Sequence, residues 1–475
     1  MLHLGHILAA LSNYRARGSE PALSRVVVDS REAERGSLFV ALKGERHDGH
    51  DFVADAFARG AVAALVERPI VTGTLTIDIA SGAAEIPENI IPAVQIVVED
   101  TVAAMHRAAA AWIDRADVRV IGITGSVGKT STKELTHAVL AQRYRTFKSP
   151  GNRNSILGLP PALFDLRPAD ERAVLEMGMY VPGEIRQLCE ITQPVVGVVT
   201  MIDPVHMERA GSLEAIVVAK RELVEALPPD GVAVLNRDEP LVMGMAAHTE
   251  ADVFTYGLDS RADLWAGEIE SMGLDGVRFT LHHGRTQMRV HVPLLGRHSV
   301  HTALRATAVG LVEGLQWEEI LRGLQDEEAE LRVITATGPH DTLLLDDTYN
   351  ASPASVIAAL NLLKDLEGRR IAVLGDMLEL GEAEAESHRL VGRRACLVAD
   401  ILVTVGLRAR LIAEAAREAG MNPEQVFSVR EPDEATVIIE SVLSEGDVIL
   451  IKGSRGVKLD RVVSALARPP VRERL

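Results

Sequence analysis

Cysteine is nearly absent from this chain: Cys189 and Cys396 are the 2 thiols in 475 residues. Two thiols cannot build a disulfide framework or a thiolate-based zinc centre, and their scarcity fits a reducing cytoplasm. Aromatic residues make up 3% of the chain, too few for an extended base-stacking platform. Positive charge is in deficit as well. With 50 Lys and Arg against 67 Asp and Glu the net charge is −17, which speaks against nucleic acid or another large polyanion as partner. Local basic pockets for phosphate stay open. No apolar run reaches the ~18–20 residues of a membrane span. The N-terminus has no basic leader; Leu4, Ile7, Leu8 and Leu11 have helical spacing, which predicts a folded helix and not a signal peptide.

What is present is ordinary globular material, 47% apolar and 25% charged, in a length that predicts two to four domains. A first unit, residues 1–98, reads as strands at Arg25–Ser30, Leu38–Leu42 and Ala61–Glu67, with a helix over Asp51–Gly60 and a loop bearing a weak strand over Thr72–Pro92. Ser30, Arg31, Lys43, Arg46, His47 and His50 give it a small positive cluster. An Ala-rich helix, Thr101–Ala116, leads into a central unit, residues 99–325. Its strand candidates at Val118–Ile123, Ala173–Met177, Val195–Thr200 and Gly231–Asn236 alternate with helices, which predicts a mostly parallel sheet covered on both faces. Asp252–Val292 alternates apolar and polar residues and reads as antiparallel strands, and helices from Ser299 to Gln325 close the unit. Residues 326–475 repeat strand and helix, with strands at Thr342–Asp346, Arg370–Gly375, Ile401–Val405, Gln425–Val429 and Asp447–Ile451, a Rossmann-like pattern. It lacks the Gly-x-Gly-x-x-Gly turn of dinucleotide binders. The predicted class is α/β throughout.

One stretch carries recognisable chemistry. Val118–Ile123 is a short β-branched strand, Thr124–Gly128 a small-residue turn, and Lys129 onward a helix with Leu135, Val139 and Leu140 on one side. A strand, a glycine turn and a helix opening on Lys-Thr hold a nucleotide polyphosphate. Glycines let backbone N–H groups crowd the phosphate oxygens, and the helix N-terminus adds partial positive charge. Lys129 can reach the terminal phosphates, and the Thr130 hydroxyl can sit on Mg²⁺. The common pattern has glycine where this chain has Ile123; here the glycines are Gly122, Gly125 and Gly128. Glu176 closes one later strand, His206 lies just past another, and Lys220 lies on the next helix. Each alone has an ordinary surface or capping explanation. In this order, after a phosphate loop, they fit one metal–phosphate site.

Gly122-Ile-Thr-Gly-Ser-Val-Gly-Lys-Thr-Ser131 resembles the variant phosphate loop of the Mur ligases and folylpolyglutamate synthases. The rest of the chain resembles the Mur ligases in all three units: Asp29-Ser-Arg31 and Gly36–His50 in the first; Gly151-Asn-Arg-Asn154, His206-Met-Glu208 and Ala219-Lys-Arg-Glu222 in the second; Leu345–Pro353, Gly375–Gly381 with His388, and Lys452-Gly-Ser-Arg455 in the third. The third set resembles the branch that adds D-alanyl-D-alanine. The resemblance implies a three-domain architecture: a UDP-substrate domain, a central ATP domain and a Rossmann-like third domain. It implies a monomeric cytoplasmic ligase. ATP would phosphorylate the terminal carboxylate of a UDP-MurNAc-tripeptide, and the amine of D-alanyl-D-alanine would displace the phosphate. Gly125, Ser126, Val127, Gly128, Lys129, Thr130 and Ser131 would hold ATP together with Thr302, Arg332, Asp347 and Asn350. Ser30, Arg31, Lys43, Asn152 and Asn154 would bind the UDP substrate. Lys129, Glu176, His206 and Lys220 would be catalytic. Thr130, Glu176, His206 and Lys220, the last as an N6-carboxylated lysine, would hold two Mg²⁺ ions. The chain departs from the family pattern at Ser155, Met201, Thr302 and Leu331. Those departures leave two other readings open, a ligase for a different amino acid and a nucleotide binder without ligation.

Overall fold

The computed structural model describes residues 1–44, 47–71, 73–82, 86–204, 211–326 and 334–468. Three sheets follow one another along the chain. The first holds β1 Val26–Val27, β2 Leu38–Val40, β3 Ala63–Val66, β4 Leu75–Asp78 and β5 Val94–Val97. Its order is β1-β2-β3-β5-β4 and all its neighbours are parallel. β3 and β5 are buried at every position, the pattern of strands covered on both faces. β4 is the weak strand expected within Thr72–Pro92; β5, four residues long, was too short for periodicity to separate from its loop.

The central sheet holds β6 Arg119–Thr124, β7 Thr146–Lys148, β8 Arg172–Glu176, β9 Val196–Val199, β10 Val232–Asn236, β11 Asp252–Gly257, β12 Leu264–Ser271, β13 Val277–His283 and β14 Thr286–Val292. Its order is β14-β13-β12-β11-β10-β9-β6-β8-β7. Antiparallel pairing was expected over the whole of Asp252–Val292, but it is confined to β12–β14. β11 lies parallel to β10 because the intervening segment carries two helical turns, Pro240–Met243 and Gly244–His248, enough chain for a crossover.

The third sheet runs β15 Ile334–Thr337, β16 Leu343–Asp347, β17 Arg370–Gly375, β18 Ile401–Val405, β19 Val426–Val429 and β20 Val448–Lys452. The order is β15-β16-β20-β17-β18-β19, parallel except for the β15 edge.

The Thr101–Ala116 helix joins the first two lobes. Asp100 caps it by accepting the Ala103 N–H at 2.9 Å. Its Ala104, Met105, Ala108, Trp112 and Ile113 pack with Leu4, Ile7 and Leu8 on one side and with Leu159, Leu163 and Leu188 on the other, in one continuous core. The third lobe has cores of its own on both faces of its sheet. Among the described residues no helix is long and apolar enough to cross a membrane.

Strand order positions the site. β6 lies between β9 and β8. The chain leaves β6 towards β8 on one side and reaches β9 on the other, so the loops after β6 and β9 diverge. Such a switch point opens a crevice at the carboxyl ends of the strands.

Candidate active site

The phosphate loop caps β6, whose Val120–Thr124 run is fully buried. Gly125 has φ 139°, and a Cβ there would lie 1.9 Å from the Thr200 hydroxyl, so the position admits only glycine. Gly128, at φ 83°, begins the Lys129–Leu140 helix. The segment after β9 clamps the loop from the side. Thr200 Oγ1 donates to the Val127 carbonyl at 2.6 Å, and the Ser126 N–H donates to the Met201 carbonyl at 2.8 Å. Ser126 Oγ exchanges hydrogen bonds of 2.9 Å with the Asp203 carbonyl and N–H. Met201 therefore serves the loop through its backbone, and the missing amide side chain does not enter that bond.

Lys129 lies across the loop, Nζ donating to the Gly125 carbonyl at 2.8 Å and to the Ser126 carbonyl at 3.3 Å. β6 and β8 are in register at Ile123 and Glu176, which sets that carboxylate beside the loop. Thr130 Oγ1 donates to Glu176 Oε2, and Asn154 Nδ2 to Oε1, both at 2.8 Å. Glu176 is 1% exposed. A hydroxyl and a carboxylate are hard oxygen donors suited to Mg²⁺. Among the described residues no cluster of three or more His, Cys, Asp or Glu could hold a metal. A small protein ligand set fits Mg²⁺, which keeps waters and substrate phosphates in its shell.

Lys220, on the Leu213–Glu225 helix, is 2% exposed. Burial, and then the charge of Lys129, push its ammonium well below the usual lysine range. Among the described residues no carboxylate pairs with it. Nearby Glu222 is already occupied, accepting the Gly183 and Arg186 N–H groups at 2.7 and 3.0 Å.

Thr302 accepts a 3.0 Å hydrogen bond from Arg305. Asp347 and the Asn350 carbonyl both accept from the buried Lys452, at 2.7 and 2.8 Å. The turn after them faces the centre: burial raises the Asp203 carboxyl, which the Ala354 N–H and Ser352 hydroxyl oppose. On the first lobe Arg31 is paired with Asp29 and Lys43 with Glu67, and His50 donates to Asp48 at 2.6 Å. Of the expected positive cluster, Arg31, Lys43 and His50 are thus each paired with a carboxylate, two residues away for Arg31 and His50 and at a later strand end for Lys43. Ser30 is buried and interacts with Asp55. Arg153 reaches from the central lobe to Glu32 at 2.8 Å, and the Asn152 carbonyl accepts the Asn154 N–H at 2.9 Å. Arg46, His206, Leu331 and Arg332 lie outside the described residues.

Three residues of the site escaped sequence reasoning. Lys133 is fully buried and holds the Gly151–Asn154 loop, donating to the Ser149 and Gly151 carbonyls at 2.8 Å. Ser149 Oγ accepts the Glu176 N–H at 3.1 Å. Arg305 lies behind Gly128. A signal existed for the last, a guanidinium amid the small residues Thr302-Ala-Leu-Arg-Ala-Thr-Ala308. Lys133 reads as a solvated helix lysine until the loop is folded over it.

A parallel sheet whose switch point carries a phosphate loop, a buried carboxylate and a buried lysine defines a nucleotide-polyphosphate enzyme, and the comparisons place it in a family. Residues 23–113 match the domain described as "Mur ligase family, catalytic domain", 123–310 the "Mur ligase middle domain" and 331–455 the "Mur ligase, glutamate ligase domain". The chain belongs to the Mur ligase family. Along nearly its whole length it is similar to the UDP-N-acetylmuramoyl-tripeptide–D-alanyl-D-alanine ligases. That of Bacillus subtilis is 36% identical, covering 94% of this chain and 93% of the relative. That of Escherichia coli is 33% identical over 97% of each. The solved structure of MurF from Acinetobacter baumannii superposes with a TM-score of 0.83 at 31% identity over 98% of both chains. MurF ligase from Thermotoga maritima in complex with ADP gives 0.76 at 26% identity, over 93% of this chain and 96% of that one.

Proposed function

We propose that this chain is an ATP-dependent amide ligase that joins D-alanyl-D-alanine to UDP-N-acetylmuramoyl-tripeptide, working in the cytoplasm as a monomer on a peptidoglycan precursor. The observation that carries the reading is the Thr130 hydroxyl 2.8 Å from the buried Glu176 carboxylate, at the foot of a phosphate loop. The relatives' shared activity supplies the two substrates.

A carboxylate resists amines because its leaving group would be oxide. Its oxygen attacks the γ-phosphorus, the bond to the β-phosphate oxygen breaks, and ADP leaves. The amine nitrogen then attacks the acyl carbon. The tetrahedral species expels phosphate and the nitrogen loses its proton, leaving the amide. The loop from Gly125 to Ser131 binds the polyphosphate through its N–H groups, and Lys129 turns from the loop carbonyls to the phosphate oxygens. Mg²⁺, when bound by Thr130 and Glu176, supplies neutralising charge during transfer. His206 and an N6-carboxylated Lys220 would hold a second ion and add to that charge. Burial beside Lys129 supports that modification, because it favours the neutral amine that attacks CO₂ and then sheds a proton. Ser30, Arg31, Lys43, Asn152 and Asn154 hold the UDP substrate. Thr302 contacts the nucleotide from the central lobe. Arg332, Asp347 and Asn350 close over the nucleotide from the third lobe and exclude water that would hydrolyse the acyl phosphate.

Phosphate release measured with UDP-MurNAc-tripeptide, with and without D-alanyl-D-alanine, tests the reading. Release that requires both substrates is expected. Turnover with a different amine would move the substrate assignment, and tight ATP binding without turnover would remove the ligase activity.

A further inference from the structure

The Ser299–Val312 helix is built of small and apolar residues, with Arg305 in its middle. The Arg305 side chain is 5% exposed. Its Nη2 donates to Thr302 Oγ1 at 3.0 Å, and its guanidinium carbon lies 5.9 Å from the centre of the Tyr256 ring. Its Nε is buried with no hydrogen-bond partner. Among the described residues no carboxylate pairs with it; Tyr256 is the group that opposes its loss of charge. The fork is aimed at the phosphate loop. A Cβ built on Gly128 would meet Nη2 at 3.3 Å and Nη1 at 3.4 Å, nearer than any other atom outside the adjoining chain.

Arginine keeps its proton in proteins, so this is a permanent cation removed from water with no counter-ion among the described residues. The fold makes its position worse. The N-terminus of the Lys129–Leu140 helix, with its own partial positive charge, begins at the glycine it touches. A buried charge set against a second positive pole costs the folded protein stability. An arriving polyanion reverses that cost.

We propose that Arg305 is a phosphate-positioning residue: the negative charge of a nucleoside di- or triphosphate in the loop completes the guanidinium, and the fork steadies Gly128 from behind. This rests on reading the Gly125–Ser131 turn as the nucleotide site. The polyphosphate, and not the base or the sugar, is the part of the ligand that Arg305 senses.

The test uses the full chain and the variants R305M, R305Q and R305K. Affinity for Mg·ADP and for adenosine is measured by calorimetry, and the melting temperature is taken without nucleotide. R305M is expected to weaken Mg·ADP about 10- to 100-fold, the range for one hydrogen bond to a charged group, with adenosine unchanged. Its nucleotide-free melting temperature holds or rises, because an uncompensated charge has gone. A merely structural arginine would lower it. R305K restores part of the affinity, returning the charge without the fork. R305Q, neutral but able to keep the Thr302 bond, gives the same reading where R305M does not fold. Mg·ADP affinity within about twofold of wild type, or equal losses for ADP and adenosine, overturns the proposal alone. A wild-type protein that binds no Mg·ADP overturns the ligase reading and this one with it.

Discussion

Lys133 and Lys220 are both buried in the central lobe, at 0% and 2% exposure, and their surroundings are opposite. Lys133 spends its three donors on the Ser149 carbonyl, the Gly151 carbonyl and, at 3.1 Å, the Glu134 carboxylate. Glu134 also binds Lys148. Lys452 of the third lobe is satisfied in the same manner by Asp347 and Asn350. Lys220 has no such carboxylate among the described residues, and its neighbouring charge is the cation of Lys129. Equal burial therefore separates into two kinds. Around Lys133, buried charge is closed on itself and holds a loop in place. Beside the phosphate loop, Lys220 and Arg305 are buried with no carboxylate partner among the described residues.

The sharpest way to break this comparison is at the loop. Lys129→Ala should cut turnover about 10³-fold, near 4 kcal/mol of barrier, with the circular dichroism spectrum and melting temperature little changed. Near-normal turnover would take the loop out of the mechanism. Lys133→Met should act in the opposite sense, lowering unfolding stability by about 3 kcal/mol. That is the low end for a broken buried pair, because Glu134 keeps Lys148. Denaturant melts check it; an unchanged midpoint would show the closed network to be ornamental. Lys220→Ala should leave stability nearly untouched and lower turnover about 10²-fold. Acetate or formate should restore part of it if a carbamate stood there, and failure of rescue would leave the modification unsupported.

The smallest effect belongs to the third lobe. His388 is fully buried; its Nδ1–H donates to the Glu384 carbonyl at 2.7 Å and its Nε2 accepts the Met377 N–H at 3.1 Å. That arrangement requires the neutral ring, and burial lowers its proton affinity below the ordinary 6.5. The folded state then binds fewer protons than the unfolded one just below that value. Its contribution is full above pH 6.5 and is lost as pH falls towards the folded-state value. His388→Ala should cost about 1–2 kcal/mol at pH 7.5 by stranding the Met377 N–H. It should also flatten the acid limb of stability against pH, as read by chemical denaturation. An unaltered limb would assign the acid sensitivity elsewhere.

The chain alone was enough for the elements of the site. The β6 strand, the glycine turn and the helix opening on Lys129 are local. Short β-branched runs, positive-φ glycines and helical periodicity act within a dozen residues and need no partner. The same holds for the Thr101–Ala116 helix and for the strands β17 and β18, whose observed bounds are those expected. Pairing decided the rest. That β11 runs parallel to β10, or that Lys43 meets Glu67, depends on which segments lie side by side, and periodicity carries no such information. The β9-β6-β8 order brings Thr200 to Val127 and Glu176 to Thr130. Burial is likewise a property of the assembled lobes. Nothing local distinguishes the burial of Lys133 from that of Lys220, because the groups that decide it, the Ser149 and Gly151 carbonyls for Lys133, are separated from these side chains in sequence and are gathered only when the sheets pack, as Gly128 is beside Arg305.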